Sequence, residues 1–310
     1  MASDPINLSI CISSCKARDL LVQCLETVLK DPPNTTYEII IVNDYSGDGT
    51  AEAVADQFPN VQFIENPGPV GIARAFNMAF SQATGRYILQ LSADVTPQPN
   101  ALSRLYEFME SHPDTGMAGA QLLNPDGSLQ PCGRRFPTLL SIIWNKLKFH
   151  MVTPADYFHM SYRNYNQIEE VDEMPNACLI IRRETMDQVG MLDENLKRFY
   201  DDVEWCLRIK KGGWKIYNVP QAQVIHHWYY TRTPDATFLI QTGYFSELYV
   251  FKKHYKWWEF QIIRSVEIIE ILFRMLKWAF SWLIRPASRT FFRERLQVGW
   301  QTIKMALTIG

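Results

Sequence analysis

The sequence lacks several features that would point to other classes of protein. Its six cysteines form no C-x-x-C pair and most lie in apolar segments, so we expect reduced thiols in the core of a cytosolic protein. The opening stretch MASDPINLSI has no basic segment followed by an apolar run, so no signal peptide is predicted. The 31 Lys and Arg nearly balance the 33 Asp and Glu, which gives no indication of nucleic-acid binding.

The chain is long enough for a large domain with an appendage. At 310 residues and 47% hydrophobic it can bury a full core, and disorder is not expected. The charge is unevenly distributed, because residues 252–310 hold eleven Lys and Arg against four Glu, a net charge of +7. The remainder then carries −9 of the total of −2, so we predict a basic tail over 252–310 joined to an acidic body over 1–251.

The first hundred residues alternate between strand and helix patterns. Strands are predicted for NLSICISS, YEIIIVND, VQFIE and RYILQLSAD, with helical spacing in the segments between them. This order predicts an α/β fold, a doubly wound and mostly parallel sheet with helices on both faces. Ligands of such sheets bind at the carboxyl ends of the strands, so Asp44 and Asp94 are expected to reach one site. The alternative for each is a turn or helix N-cap carboxylate.

One later segment carries acidic residues at one end and imidazoles at the other. It reads FYDDVEWCLRIKKGGWKIYNVPQAQVIHH, and we predict a helix that starts near Asp201 and Asp202 and ends at the Gly-Gly pair. A strand follows and ends in His226 and His227. His226 could have a functional role at this strand end, or it could be an imidazole that is hydrogen-bonded in the core. Glu204 is expected at the helix surface or paired with a basic residue.

Six segments in order resemble a known enzyme family. They are ISSCKARDLLVQCL, EIIIVNDYSGDGT, NPGPVGIARAFNMAF, GRYILQLSADVTPQPNAL, ACLIIRRETMDQVGMLDE and YDDVEWCLRIKKGGWKIYNVPQAQVIHH. Together, over about residues 7–230, they resemble the inverting GT-A glycosyltransferases of family 2, and within it the bacterial rhamnosyltransferases and galactofuranosyltransferases. The resemblance implies a nucleotide-sugar half over about 1–100 and an acceptor half over about 101–251.

The resemblance implies a donor site in the first half. Asp44 matches the carboxylate that accepts N3–H of uracil or thymine, and Ser13 and Ala93 fall at nucleotide-sugar positions. Asp94 matches the last Asp of the DxD metal motif, while Ser92 stands where the first Asp would be and leaves the site with less negative charge. The implied donor is a UDP- or dTDP-sugar, dTDP-rhamnose first, with UDP-galactofuranose or a UDP-hexose as the alternative.

The resemblance also implies roles for the later segment. Asp202 matches the catalytic base that deprotonates an acceptor hydroxyl, and Asp201 is its partner in the acidic pair. His226 matches a ligand of a divalent metal, Mn²⁺ or Mg²⁺, and His227 is common in the same motif. Such a cation would offset the charge that grows on the departing diphosphate.

Basic and aromatic residues complete the expected site. Arg74 and Arg232 are candidates to bind the diphosphate, and the alternative for both is a solvated surface arginine. Residues 134–175 are rich in aromatic and amide side chains, which stack on sugars and bond hydroxyls, so acceptor specificity is expected there. The implied acceptor is a glycan or a polyprenyl-diphosphate-linked saccharide.

Two other function classes compete with this hypothesis. A nucleotidyltransferase would need a Gly-rich loop after the first strand, but ISSCKARDL contains no glycine. A noncatalytic sugar-nucleotide-binding or scaffold protein would keep the fold and lose the base, whereas Asp202, Asp94 and His226 are all present. The sequence therefore favours an enzyme.

The basic tail is predicted to be an amphipathic helix. Over Gln261–Arg285 the charged residues recur mostly at spacings of three or four, which places them on one stripe and leaves the rest apolar. The longest apolar stretch, WAFSWLI, falls far short of the roughly 20 residues that cross a bilayer. We expect this helix to lie in an anionic membrane surface on the cytosolic side. The alternative is that it packs on the catalytic domain or forms a homodimer.

Overall fold

The computed structural model describes residues 5–146, 164–228, 236–284 and 289–309. The chain forms two compact units, the first comprising 1–136, 157–197 and 201–233 and the second comprising 137–156, 198–200 and 234–310. The predicted boundary after Phe251 falls inside helix α8 (Ala236–His254), and the functional division on either side of it stays a prediction.

The described part of the first unit is built on one nine-stranded sheet. Its strands are β1 (Leu8–Ser14), β2 (Tyr37–Asn43), β3 (Gln62–Glu65), β4 (Tyr87–Ser92), β5 (Val95–Pro97), β6 (Thr115–Leu123), β7 (Glu169–Glu170), β8 (Cys178–Arg182) and β9 (Lys215–His226). The spatial order is β3-β2-β1-β4-β8-β6-β9-β5, with β7 beside β9. The first four strands are parallel, and β8 runs antiparallel between β4 and β6. The predicted α/β fold is confirmed.

Helices connect these strands and cover their apolar side chains. They are α1 (Arg18–Lys30), α2 (Thr50–Gln57), α3 (Ile72–Gln82), α4 (Ala101–Ser111), α6 (Arg183–Val189) and α7 (Asp201–Lys211). All seven residues of β1 are buried, as expected for a strand covered on both faces. Phe80 stacks between Phe76 and Trp205, with ring centroids 5.8 and 5.7 Å away. Five of the six cysteines are buried and all six are free thiols.

The second unit is helical over its described residues. It contains α5 (Leu139–Lys146), α8, α9 (Trp257–Ile284) and α10 (Arg289–Thr308). Its small core consists of Ile142, Leu248, Phe251, Phe260, Ile263 and Ala306. Among the helices described, none is long and apolar enough to cross a membrane.

We predict that Gly85→Ala destabilises the first unit. A Cβ atom at Gly85 would lie 2.7 Å from the backbone nitrogen of Ser9 and 2.9 Å from the carbonyl carbon of Leu8, and backbone in a buried strand cannot move away freely. Overpacking of this kind typically costs about 1–3 kcal/mol, measurable by urea unfolding. Gly68→Ala is the matched control, because its Cβ would meet nothing within 4 Å. Equal stability of the two variants would contradict the prediction.

Candidate active site

The carboxyl ends of three neighbouring strands lie level with one another. Ser13 pairs with Ser92 across β1 and β4, and the backbone N–H of Ala93 donates to the Ser13 carbonyl at 3.3 Å. On the other side of β1, the N–H of Asp44 donates to the Ser14 carbonyl at 2.7 Å. The structure thus brings Ser13, Asp44 and Ala93 to one edge of the sheet.

Asp44 is buried and holds the loop that leads into α3. Its Oδ1 accepts hydrogen bonds from the N–H of Val70 at 2.8 Å and from the amide of Asn66 at 3.2 Å. Its Oδ2 accepts the N–H of Gly71 at 3.0 Å. A carboxylate has about four lone-pair positions, so three protein donors leave room for one more N–H. Asp44 thus holds the loop 66–71, which lies more than 20 residues further along the chain. A carboxylate that served only in a local turn or as an N-cap would not need these contacts.

Asp94 and His226 meet because the short strand β5 pairs with the end of β9. Val95 lies opposite His226, and the N–H of His227 donates to the Asp94 carbonyl at 2.9 Å. These contacts put Oδ2 of Asp94 3.6 Å from Nε2 of His226. Burial lowers the pKa of His226, the Asp94 carboxylate opposes that shift, and His227 adds to it. The His226 imidazole is therefore held towards its neutral form, the form that ligates metals.

Gln130 orients this imidazole and was not predicted from the sequence. Its Oε1 lies 2.8 Å from Nδ1 of His226. Since an amide oxygen only accepts, Nδ1 must carry the hydrogen, which leaves the lone pair on Nε2, the atom near Asp94. Gln130 in turn donates from Nε2 to Oδ1 of Asn124 at 3.2 Å. The sequence around Gln130 holds no motif that could have identified it.

Asp94 and His226 fit as two ligands of one divalent cation. Carboxylate and imidazole donors bind such metals at about 2.0–2.2 Å, so two atoms 3.6 Å apart can both contact one ion. Within the described ranges, no cluster of three or more His, Cys, Asp and Glu suited to a metal occurs. A cation held here would take its other ligands from a diphosphate and water, as Mg²⁺ commonly does.

The acidic pair lies at the first turn of α7. Oδ1 of Asp202 accepts the N–H of Val203 at 2.8 Å, and Oδ2 accepts the N–H of Asn176 at 3.2 Å. The next carbonyl along, that of Ala177, accepts the N–H of Ser92 at 2.9 Å. This backbone link joins the end of β4 to Asp202, so the predicted base is tied to the same edge of the sheet.

Two buried carboxyls lie near Asp202. Burial first, and then the Asp202 charge, raise the pKa of Asp201 to about 7. The same two causes raise the pKa of Glu173 to about 8, although Nη1 of Arg134 lies 3.4 Å from its Oε1. Asp202 is partly exposed while Asp201 and Glu173 are buried, so Asp202 is the most accessible residue of the three. Glu173 was not predicted, since nothing in its acidic segment distinguishes it from its neighbours.

The remaining predicted residues lie elsewhere or bind other partners. The Arg74 side chain is 60% exposed with its Nε 3.9 Å from Oε2 of Glu194, so its role at the diphosphate stays a prediction. Nε2 of His227 lies 3.0 Å from the Thr96 hydroxyl. Glu204 is buried and pairs with Arg208 at 2.8 Å, the predicted pairing with a basic residue. Arg232 lies outside the described residues.

Residues 9–184 match Glycosyl transferase family 2. The chain belongs to this family. It is 26% identical over 241 residues to an N-acetylglucosaminyl-diphospho-decaprenol L-rhamnosyltransferase of Mycobacterium tuberculosis, covering 71% of this chain and 76% of that protein. It is 25% identical to the O-antigen biosynthesis protein RfbC of Myxococcus xanthus, covering 70% of this chain and 17% of that protein. The predicted membership, near the rhamnosyltransferase branch, is confirmed.

Solved structures show the same fold at low sequence identity. GalNAc-T7 with UDP, GalNAc and Mn²⁺ aligns with a TM-score of 0.56 at 14% identity, covering 80% of this chain and 50% of that one. The mannosyltransferase PcManGT of Pyrobaculum calidifontis, in complex with GDP-Man and Mn²⁺, gives 0.56 at 14% identity, covering 99% and 88%. The fold is GT-A, as the resemblance implied.

We predict that Glu173→Gln flattens the dependence of stability on pH. With its pKa raised from 4.5 to about 8, folded Glu173 keeps a proton that the unfolded chain releases, so stability falls as pH rises through this window. A neutral amide keeps the shape and removes this loss, which should amount to at least about 1 kcal/mol. Urea unfolding at pH 5 and pH 8.5 measures the slope, with the exposed Glu107→Gln as control. If the stability of Glu173→Gln depended on pH as steeply as that of wild type, the raised pKa of Glu173 would be refuted.

Proposed function

We propose that this family 2 glycosyltransferase is a metal-dependent, inverting enzyme that transfers a sugar from a UDP- or dTDP-sugar, dTDP-rhamnose first, to a hydroxyl of a glycan or lipid-linked saccharide. The observation that carries the proposal is the convergence of Asp44, the Asp94–His226 pair and Asp202 on one sheet edge. Sugar transfer needs a group that binds the donor, a group that stabilises the leaving diphosphate and a base for the acceptor hydroxyl, and all three must lie at one site.

Asp44 supports a pyrimidine nucleotide as the donor. Its carboxylate can only accept, and uracil and thymine each offer one N3–H. The three protein donors fix the carboxylate in place before any ligand binds, which lowers the ordering cost of recognition. The mycobacterial relative is named an L-rhamnosyltransferase, and this favours a deoxysugar donor for the present chain.

Asp94 and His226 are the residues that would hold the metal, with Gln130 fixing the imidazole hydrogen on Nδ1. A cation bound there supplies electrostatic stabilisation of the departing diphosphate. The two solved neighbours, both with Mn²⁺, support a divalent metal for this chain as well. The hydrogen bond from His226 to Gln130 keeps the ring orientation fixed, as outer-shell partners of metal ligands commonly do.

Asp202 is the proposed general base. Two backbone N–H groups hold its carboxylate in one orientation at the first turn of α7. It takes the proton of the acceptor hydroxyl as that oxygen attacks the anomeric carbon, on the face opposite the departing diphosphate. One such displacement inverts the anomeric centre. Because its pKa is raised to about 8, Glu173 stays mostly protonated and adds little negative charge beside Asp202 at neutral pH, whereas Asp201, with a pKa of about 7, is partly ionised there.

A lipid-linked saccharide is the proposed acceptor. The mycobacterial relative is named for its N-acetylglucosaminyl-diphospho-decaprenol substrate, and a polyprenyl diphosphate sugar would place the reaction on the cytosolic face of a membrane. The expected acceptor segment, 134–175, includes 147–163, which lies outside the described residues.

We predict that Asp202→Asn abolishes most transfer while donor binding is kept. The amide preserves size but cannot take the proton, and loss of a general base costs about 10²–10⁴-fold in rate. The assay follows transfer from dTDP-rhamnose and Mn²⁺ to a synthetic N-acetylglucosaminyl-diphospho-polyprenol, with calorimetry of the donor alongside. The exposed Asp187→Asn in α6 is the control and should stay at the wild-type rate. If Asp202→Asn kept more than roughly a tenth of the rate, the base would lie elsewhere.

A further inference from the structure

Helix α9 exposes one continuous stripe of large apolar side chains. These residues, named here the α9 apolar face, are Ile262, Ile269, Leu272, Phe273, Leu276, Phe280 and Leu283. Phe273, Leu276 and Phe280 are 75%, 69% and 63% exposed. The spacings of mostly three, four and seven put all of them on one side of a helix, over a length of roughly 30 Å at about 1.5 Å per residue.

The opposite side of α9 faces the core of the second unit and contains a charge. Phe260, Ile263, Glu267 and Ile271 are buried. The ammonium of Lys146 lies 3.3 Å from a carboxyl oxygen of Glu267 and 3.4 Å from one of Glu247. The sequence pattern predicted a stripe of charged residues on an otherwise apolar helix. In the structure, Glu267 of that stripe is buried, while the residues of the α9 apolar face are exposed.

This arrangement is the reverse of an ordinary surface helix, which turns its apolar stripe towards the core. Exposed apolar patches that are large and continuous mark surfaces that bind another partner. The charges of the same segment bear on which partner the α9 apolar face would bind.

The exposed charges of the segment that contains the α9 apolar face, residues 252–310, are mostly basic. Lys252, Lys253 and Lys256 are exposed just before α9 begins, and Lys277 is exposed on α9 itself. Exposed Arg293 and Lys304 on α10 belong to the same unit. With a net charge of +7 over 252–310, a second copy would bring like charges together, whereas anionic lipid headgroups attract them.

The residue types on this unit also fit the interface of a bilayer. The exposed rings of Trp258 and Trp300 have an apolar body and one N–H, the combination favoured at the headgroup level. Helices that lie in the interface combine such a wide apolar side with flanking cations. In the part of the chain that the structure describes, no helix qualifies as a membrane span.

We propose that the α9 apolar face inserts into the interface of an anionic phospholipid bilayer, with the surrounding lysines and arginines on the headgroups. The purpose of this contact, access to a lipid-linked acceptor, rests on the proposed function. The binding itself needs no sugar nucleotide and is measured separately.

The test is sedimentation of the full chain with vesicles. Wild type should bind vesicles of phosphatidylcholine with phosphatidylglycerol and bind pure phosphatidylcholine far less. Binding should fall when salt is raised to about 1 M, where the Debye length is only about 3 Å. This comparison needs no variant, so it stands even if a substitution disturbs folding.

A triple variant tests the face directly. F273Q/L276Q/F280Q removes three exposed apolar side chains without changing charge and should weaken vesicle binding at least about tenfold. The matched control is L29Q/I168Q, which alters two exposed apolar residues of the first unit and should bind like wild type. Calorimetry with dTDP and Mn²⁺ checks that the triple variant keeps its donor site.

Three results would overturn the proposal. The full chain could stay in the supernatant with anionic vesicles, or the triple variant could bind them like wild type. Light scattering could also show a stable wild-type dimer that the triple variant abolishes, which would make the face an interface between copies. Vesicle binding without sugar transfer would support the membrane contact and contradict the proposed function. Sugar transfer without vesicle binding would support the proposed function and contradict the membrane contact.

Discussion

The candidate site depends on the pairing of a three-residue strand with the end of a twelve-residue one. Asp94 ends the loop after β4 and His226 ends β9, and they meet only because Val95 lies opposite His226. The sheet thereby extends its carboxyl edge beyond the parallel core and adds a metal-ligating pair to it. Loss of this pairing would leave Asp44 and Asp202 in place but separate the two groups suited to bind a cation.

Much of the fold and part of the site could be predicted from the sequence because the information is local. Apolar runs and helical spacing define the strands and helices, and the rule that ligands bind at strand ends identifies Asp44 and Asp94. The family resemblance then added Asp202 and His226. Gln130 and Glu173 could not be predicted, because each acts through a side chain that lies far away in the chain, and no spacing or motif encodes that contact.

The second unit shows a different limit of sequence patterns. Periodicity predicted that α9 is amphipathic but not which side is buried. The buried side carries Glu267, and its partner Lys146, which comes from an earlier segment, places its ammonium among Glu247, Glu267 and Glu270. Burial raises the pKa of Glu267 to about 10, so this carboxyl is held neutral, which lowers the cost of burying it. The apolar side is then left outward, where a lipid surface would cover it.

We propose that this sheet edge binds a pyrimidine nucleoside diphosphate together with a divalent metal. Calorimetry of UDP, dTDP, GDP and ADP against the full chain, with and without Mn²⁺, tests it most directly. We expect UDP or dTDP to bind most tightly, and this binding to weaken at least about tenfold, or 1.4 kcal/mol, when Mn²⁺ is omitted or in the Asp94→Asn variant. Tightest binding of GDP or ADP, or affinity that is indifferent to Mn²⁺ and to Asp94, would contradict it.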